Sequence, residues 1–425
     1  MTTLYSNIFS KNHFINLLFL IIPISYLTGN LIINLNILLL IISAILFYGK
    51  DIFKIKLDIL DKLILFFFSY TLFTGFLNNL IDYNSEDSLK NFTVIIKTVL
   101  YFRFLFLYFI LRYLIEKKII NLKYFFFSSF FCTLFLCLDL IYQLNFGVDI
   151  FGYQAGSRRL SGPFGDELIA GSYLQRFSIL SFFLIPMLPK FKGKIKQVVI
   201  ISSLIALVIF SMIIAGNRMP IILFFFMITL IIFFEKKLRK FFIPFVFLIV
   251  SAFFIIIKIS PVMYNHYGHF YTKVLQFQYF LYPEKNHLLT TNTHVKEFMT
   301  GYKTWVAKKY IGGGIKSWRF NCPKNAKNCS SHPHNYYLEI STELGIIGFL
   351  ILSVIFSLVI YKAFLKKYFT RTVHNNFILT PFMFLFLVEV FPIKSSGSFF
   401  STSNSTYLFL MMSITIALSM KKNLN

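Results

Sequence analysis

The sequence is short of acidic residues, tryptophan and cysteine. Asp and Glu together number 17, against 42 Lys and Arg. No two carboxylates stand at a spacing suited to glycoside hydrolysis, which argues against that chemistry. The alternating segments of a membrane β-barrel are missing. Internal repeats are missing too, and with them the two-halved pattern common in transporters. No small-residue cleavage site follows the first apolar run, so that run reads as a retained helix and not as a removed signal peptide. Of the four cysteines, Cys132 and Cys137 lie inside an apolar run and read as inert core residues. Cys322 and Cys329 lie in a polar loop.

Hydrophobic residues are abundant, at 57% of 425. Apolar runs of about 18 or more residues mark membrane-spanning helices, and they recur from end to end. Backbone groups in lipid must bond to one another, so with the barrel excluded the spans are helical. The expected fold is an all-α polytopic membrane protein with about twelve transmembrane helices. They fall at roughly 14–29, 31–48, 63–81, 92–113, 122–143, 167–188, 197–215, 220–234, 241–258, 342–361, 376–392 and 406–420, each near the bilayer length.

The formal charge of +25 does not imply a nucleic-acid partner, because the cations sit between apolar runs, where orientation signals belong. One set of connections holds Lys50, Lys54 and Lys56; Lys117 and Lys118; Lys190, Lys192, Lys194 and Lys196; Lys236, Lys237, Arg239 and Lys240; Lys366, Lys367 and Arg371; and Lys421 and Lys422. The alternate set is neutral or acidic, as at Asp82 to Asp87. The positive-inside rule then places the first set and both termini in the cytoplasm. Residues 1–258 hold the first nine spans, 259–341 form one large outer loop, and 342–425 hold the last three. Within the loop, Val295, Phe298, Tyr302, Trp305 and Val306 fall on one helical face, with Lys296, Lys303, Lys308 and Lys309 elsewhere. That pattern predicts an amphipathic helix on the outer membrane surface, ended by Gly312, Gly313 and Gly314.

Five groups of residues can carry chemistry. Ser331 to Glu339 close the loop, with Asn335 as an expected N-cap and Glu339 and Glu343 in the first turns of a helix. His334 then stands at the helix mouth, where an imidazole can accept a proton near neutral pH. Gly216-Asn217-Arg218-Met219-Pro220 is a very short outer connection, and Pro220 suits the first turn of a helix. Arg218 beside that helix N-terminus suits an anion, and its planar donors match phosphate. Arg158 and Arg159 in a glycine-rich outer loop could grip phosphate or sugar oxygens. Arg176 lies inside a span, where charge is costly; Asp139 and Glu389 are its candidate partners. Lys97 and Arg103 pose the same question in the fourth span. Each group has a plainer reading as well: a capping histidine, a headgroup anchor, a solvated pair or a structural ion pair. Gly312 to Ser317 lack the spacing of a nucleotide-binding loop. Cys322, Cys329, His332 and His334 could ligate zinc, but irregular spacing in an oxidising compartment favours a Cys322–Cys329 disulfide.

Gly216-Asn217-Arg218, the long outer loop, His334-Asn335-Tyr336-Tyr337-Leu338-Glu339, Glu343-Leu344-Gly345 and Gly348 together resemble the O-antigen ligase/polymerase superfamily. The motifs cover about residues 200–355, and the order of spans agrees over the whole chain. The resemblance implies a metal-independent glycosyltransferase of GT-C-type architecture in the bacterial inner membrane, with its large loop and active site periplasmic and no cofactor. The donor would be a glycan on undecaprenyl pyrophosphate. The acceptor would be lipid A–core in a ligase of lipopolysaccharide biosynthesis, or another lipid-linked repeat in a polymerase. By carry-over, Arg218 would bind the pyrophosphate and His334 would deprotonate the acceptor hydroxyl; Arg158, Arg159, Arg176, Arg319 and Asn335, read from their own positions, are the further candidate substrate contacts. Relatives carry another Arg shortly before the Trp of the loop helix. Here His294, Lys296 and Lys303 precede Trp305, and Arg319 is the substitute. From another function class, a lipid-linked glycan transporter is the alternative.

Overall fold

The computed structural model describes residues 10–81, 88–156, 159–188, 193–235, 247, 250–251, 293–325, 329–369, 377–392, 394 and 397–420. Outside that set lie Arg158, Asp82 to Asp87, most of the expected ninth span, the outer loop up to residue 292, and Lys190, Lys192, Lys236, Lys237, Arg239, Lys240, Arg371, Lys421 and Lys422. The side chains of His294 and Val295 also lie outside it.

The described chain is helical, without a named strand. In order it forms α1 Lys11–Thr28, α2 Asn30–Ile52, α3 Ile59–Ile81, α4 Ser88–Tyr101, α5 Arg103–Glu116, α6 Leu122–Phe146, α7 Ala170–Leu184, α8 Lys194–Ile214 and α9 Arg218–Phe234. After these come α10 Thr293–Ala307, α11 Trp318–Asn325, α12 Tyr336–Phe364, α13 Leu379–Glu389 and α14 Thr402–Met420. Six segments among the described residues are long and apolar enough to cross a membrane: Asn30–Ile52, Ile59–Ile81, Phe92–Glu116, Leu122–Phe146, Ile195–Ile214 and Tyr336–Phe369.

Helices occupy the other expected spans among the described residues, but not always at bilayer length. α9 has 17 residues and α13 has 11. The fourth span is divided at Phe102, where Arg103 turns back to donate to the Leu100 carbonyl at 3.0 Å. The tenth starts at Tyr336, six residues before its expected start at 342, because Asn335 caps it there. Local chemistry sets other ends. The Asn121 side chain accepts from the Lys123 amide at the start of α6, and Gly147 closes that helix in the left-handed region at φ 77°.

The chain forms two compact units, 1–47 with 117–272 and 376–388, and 48–116 with 273–375 and 389–425. In the first, α7 is the central helix. Of its 15 residues only Ser172 escapes full burial, as expected of a helix covered on all sides. It packs on α6, α8 and α9. Phe177 lies 4.7 Å from the Tyr173 ring and 6.3 Å from that of Phe125, which in turn meets Phe19 at 5.0 Å.

In the second unit α14 has that central place, buried from Asn404 to Ser419 and packed on α5 and α12. One end of this unit is closed by charge. Arg112 pairs with Asp61 and, at 2.7 Å, with Glu116, while Tyr108 donates to Asp61 at 2.9 Å. Lys362, near the end of α12, pairs with Asp58. Burial alone would raise the Asp58 carboxyl, but the Lys362 ammonium and an amide bond hold it below the usual carboxylate range. The start of α12, more than twenty residues away, belongs to the opposite end, with the long loop.

Candidate functional site

At that opposite end of the second unit, α12 is broken. Gly345 takes φ 68° and ψ −172°, a region open essentially to glycine alone. A break leaves carbonyls before it and amides after it without helical partners. The loop after α10 supplies those partners. Gly313 and Gly314 donate to the Thr342 and Glu343 carbonyls at 3.1 and 2.7 Å. Ile346 donates back to the Lys309 carbonyl at 3.0 Å, and the Tyr70 hydroxyl reaches the Leu344 carbonyl at 2.9 Å. Backbone runs against backbone here. A Cβ on Gly345 would lie 2.1 Å from the Tyr310 carbonyl oxygen, and one on Gly312 would lie 2.4 Å from the Glu343 carbonyl carbon. α10 ends at Ala307, five residues before the glycine triplet that was expected to end it, and the triplet plugs the break in α12. Lys308 and Asn78 fasten it: the ammonium donates to the Asn78 amide oxygen at 2.7 Å, and Asn78 donates to the Gly312 carbonyl at 3.0 Å.

The plug carries Lys316 to the first half of α12. Its backbone amide donates to Glu343 at 2.8 Å, and its ammonium lies 4.0 Å from Glu339 and donates to the Ser398 hydroxyl at 2.5 Å. Ser398 and the Phe399 amide both donate to Glu339 at 2.5 Å. Both carboxylates are buried. Nearby, Lys394 pairs with Glu389 at 2.6 Å, and the Tyr336 hydroxyl donates to the same oxygen at 2.8 Å.

These anchors hold the segment that carries the histidines. Asn335 caps α12 as expected, accepting from the Leu338 amide at 3.1 Å, and its side-chain amide donates to the Pro392 carbonyl at 2.8 Å. That second bond makes Asn335 a fastening residue. The residue before it, His334, has φ 54°, one of three non-glycine residues with positive φ among those described. Such backbone costs about 1–3 kcal/mol and persists where surroundings impose it. Its ring centroid lies 4.2 Å from that of His332, the two rings tilted by 57°, and its Nε2 lies 3.7 Å from a Glu297 carboxylate oxygen on α10. α10 shows the amphipathic character expected of it: Gly301 and Thr304 are buried on the side toward α12, while Phe298, Tyr302 and Val306 are exposed.

Cys322 and Cys329 form a disulfide with Cα atoms 6.0 Å apart, so those sulfurs are not thiolate ligands and the zinc alternative fails. Trp318, fully buried, donates to the Ser330 carbonyl at 2.9 Å, so the disulfide and the indole both tether the chain leading to His334. Arg319 is exposed on the same short helix. Cys322→Ser with Cys329→Ser is expected to cost about 2 kcal/mol of stability. Lowered thermal stability of the purified protein, reproduced in wild type by reductant but not further in the double variant, checks this.

The first unit carries Arg159, Arg176 and Arg218. Gly216 turns at φ 68°, and Arg218 starts α9 half-buried. Asn217 does not cap its own helix. Its oxygen accepts from the Gly171 amide at 3.0 Å and its nitrogen donates to the Leu168 carbonyl at 2.8 Å. These bonds bring the N-termini of α7 and α9 side by side, and only glycine fits at 171, since a Cβ there would lie 2.7 Å from that of Asn217. Two helix N-termini, with Arg218 at one and buried Arg176 in the second turn of the other, form an electropositive end that suits a phosphate oxygen. Asp139 accepts from the Ile150 amide at 2.9 Å and so shapes the loop after α6. That loop leads to half-buried Arg159. In the second unit Lys97 is exposed, and Arg103 bonds Thr402 at 3.3 Å and lies over the Phe104 ring.

The segment that runs from within α8 through Arg218 and the plug to the broken α12 is the region matched, over residues 202–353, by the family model described as O-antigen ligase. Over this segment the chain is similar to the O-antigen ligase family. The matched residues fall within about two positions of the 200–355 expected from the motifs. No curated protein matches the chain. In this O-antigen ligase segment, His334 and Arg218 were visible as motif residues. Lys316 and Glu297 were not, because each acts through a partner distant in sequence. The glycine triplet before Lys316 was the available signal, since glycine runs mark close backbone approach.

Proposed function

We propose that the protein transfers a glycan from undecaprenyl pyrophosphate to lipid A–core, the ligase step of lipopolysaccharide biosynthesis. The observation that carries this reading is His334: it lies within the O-antigen ligase match, at the capped mouth of α12, in a backbone conformation that costs energy. On this reading the chain has about twelve spans in a GT-C-type arrangement in the inner membrane. The loop 259–341 is periplasmic and both termini are cytoplasmic. The exposed apolar side of α10 rests in the outer leaflet.

The reaction needs a cation for the departing diphosphate and a base for the attacking hydroxyl. Arg218, with Arg176 and Arg159, takes the first role, and Arg158 and Arg319 add contacts to phosphate or sugar. His334 takes the second. As the glycosyl–oxygen bond breaks, negative charge grows on the diphosphate, and fixed donors lower the barrier because they need no reorganisation. Arg319 is the only arginine proposed from the loop, since lysines stand where relatives have an arginine before Trp305.

One observation favours the transporter: the break in α12, since discontinuous helices are common in transporters. Here, though, the groups freed by the break are bonded by the plug. Labelled lipid-linked glycan and lipid A–core, given to the protein in liposomes, distinguish the readings. The expected product is label covalently joined to lipid A. Labelled carrier crossing the bilayer with no new covalent product would overturn the proposal in favour of transport. Lengthened glycan on the carrier would assign the protein as a polymerase.

A further inference from the structure

The Glu297 carboxylate on α10 faces Nε2 of His334 at 3.7 Å. The two residues are 37 positions apart, and the packing of α10 on α12 brings them together. That packing is tight. Gly301, one turn after Glu297, lies so close to Leu338 that a Cβ there would come within 2.2 Å of its side chain. On the other side, the Asn335 cap and its bond to the Pro392 carbonyl hold the backbone of the preceding residue, His334. Both members of the pair are thus fixed by their helices. Both remain partly open, with side-chain exposures of 38% for His334 and 27% for Glu297, so substrate and solvent can reach them. Another ionisable ring beside His334 is His332, tilted against it with centroids 4.2 Å apart, whose own Nδ1 is engaged by Ser331 at 2.9 Å.

A carboxylate beside one imidazole nitrogen favours the tautomer with its proton on that nitrogen, and leaves the other nitrogen as the base. We infer that Glu297 is a positioning residue that holds His334 as its Nε2–H tautomer and makes Nδ1 the atom that takes the acceptor proton. The inference rests on His334 being the base of the proposed transfer. In that step the acceptor oxygen forms a bond to the anomeric carbon. The bond from that carbon to the diphosphate oxygen breaks, and the electron pair leaves with the undecaprenyl diphosphate. The hydroxyl proton passes to Nδ1, giving an imidazolium that Glu297 faces across Nε2–H. No other reactant is needed, and the proton returns to water through the exposed side of the ring.

The test is Glu297→Gln, which keeps the size of the side chain and removes its charge. Protein labelled with 15N-histidine is examined above the imidazole titration, with the His334 signals assigned by their absence in His334→Gln. Wild type is expected to show His334 protonated at Nε2 and unprotonated at Nδ1. Glu297→Gln is expected to show a mixture of tautomers, and kcat lower by about 10- to 100-fold with KM for the donor unchanged. That factor corresponds to the 3.7 Å pair closing to a charge-assisted hydrogen bond as the imidazolium forms. Glu297→Asp should recover part of the rate. Wild-type His334 protonated at Nδ1, or Glu297→Gln with unaltered tautomer and kcat, would overturn the role of Glu297. If instead His334→Gln keeps full transfer activity, the assignment of the base itself fails, and the two failures are told apart by that one variant.

Discussion

His334→Ala is expected to lower glycan transfer by about 10²–10⁴-fold, the factor a positioned general base contributes, while the protein still inserts and purifies. The ring is partly exposed and forms no part of the buried core, so its removal should not unfold the bundle. Arg218→Ala is expected to have an effect of similar size through a different route, by removing a fixed guanidinium from the diphosphate. Arg218→Lys should recover only part of it, since an ammonium lacks the planar fork. The check is the rate of label transfer to lipid A–core at saturating donor, beside a thermal melt of each variant. Near wild-type transfer in both alanine variants would remove the proposed mechanism.

The second large effect concerns the fold around that base. Gly345→Ala is expected to prevent accumulation of folded protein. Its backbone lies where a side chain costs about 1–3 kcal/mol, and the new methyl would fall 2.1 Å from the Tyr310 carbonyl oxygen, which is backbone and cannot rotate aside. Moving Tyr310 would pull the plug out of the break and strand the Thr342, Glu343 and Leu344 carbonyls that it and Tyr70 satisfy. Each unsatisfied group in a water-poor interior costs about 1–3 kcal/mol. Gly147→Ala is the matched control, because φ is 77° there but nothing lies within 4 Å of the new Cβ. It should cost only the backbone penalty. Yield of monodisperse protein in detergent measures both. Equal yields for the two would mean that the plug does not lock the helix.

Much of this molecule could be read in advance, and the reasons differ between its parts. The helical segments follow from long apolar runs, since lipid leaves the backbone no alternative to internal hydrogen bonds. The cap at Asn335 and the turn at Gly216 rest on interactions within a few residues, so their signals are local. The amphipathic side of α10 follows from a period that a single helix imposes on its own side chains. The ends of the spans were harder. Asn335 starts α12 six residues before hydropathy would place it, because a polar turn can be helical when neighbours bond its side chains, as Glu339 and Glu343 are bonded here.

Composition and pattern were therefore enough for the helical membrane class and for the resemblance of residues 202–353 to the O-antigen ligase family, both of which depend on nearby residues or on the lipid solvent. It took the folded chain to reveal that Gly345 breaks a helix and the glycine triplet fills the gap, that Lys316 joins two buried carboxylates, and that Glu297 faces His334. Each of these depends on a contact between segments far apart in sequence. Contacts of that kind are selected by packing, and a local pattern carries no record of which distant backbone will arrive.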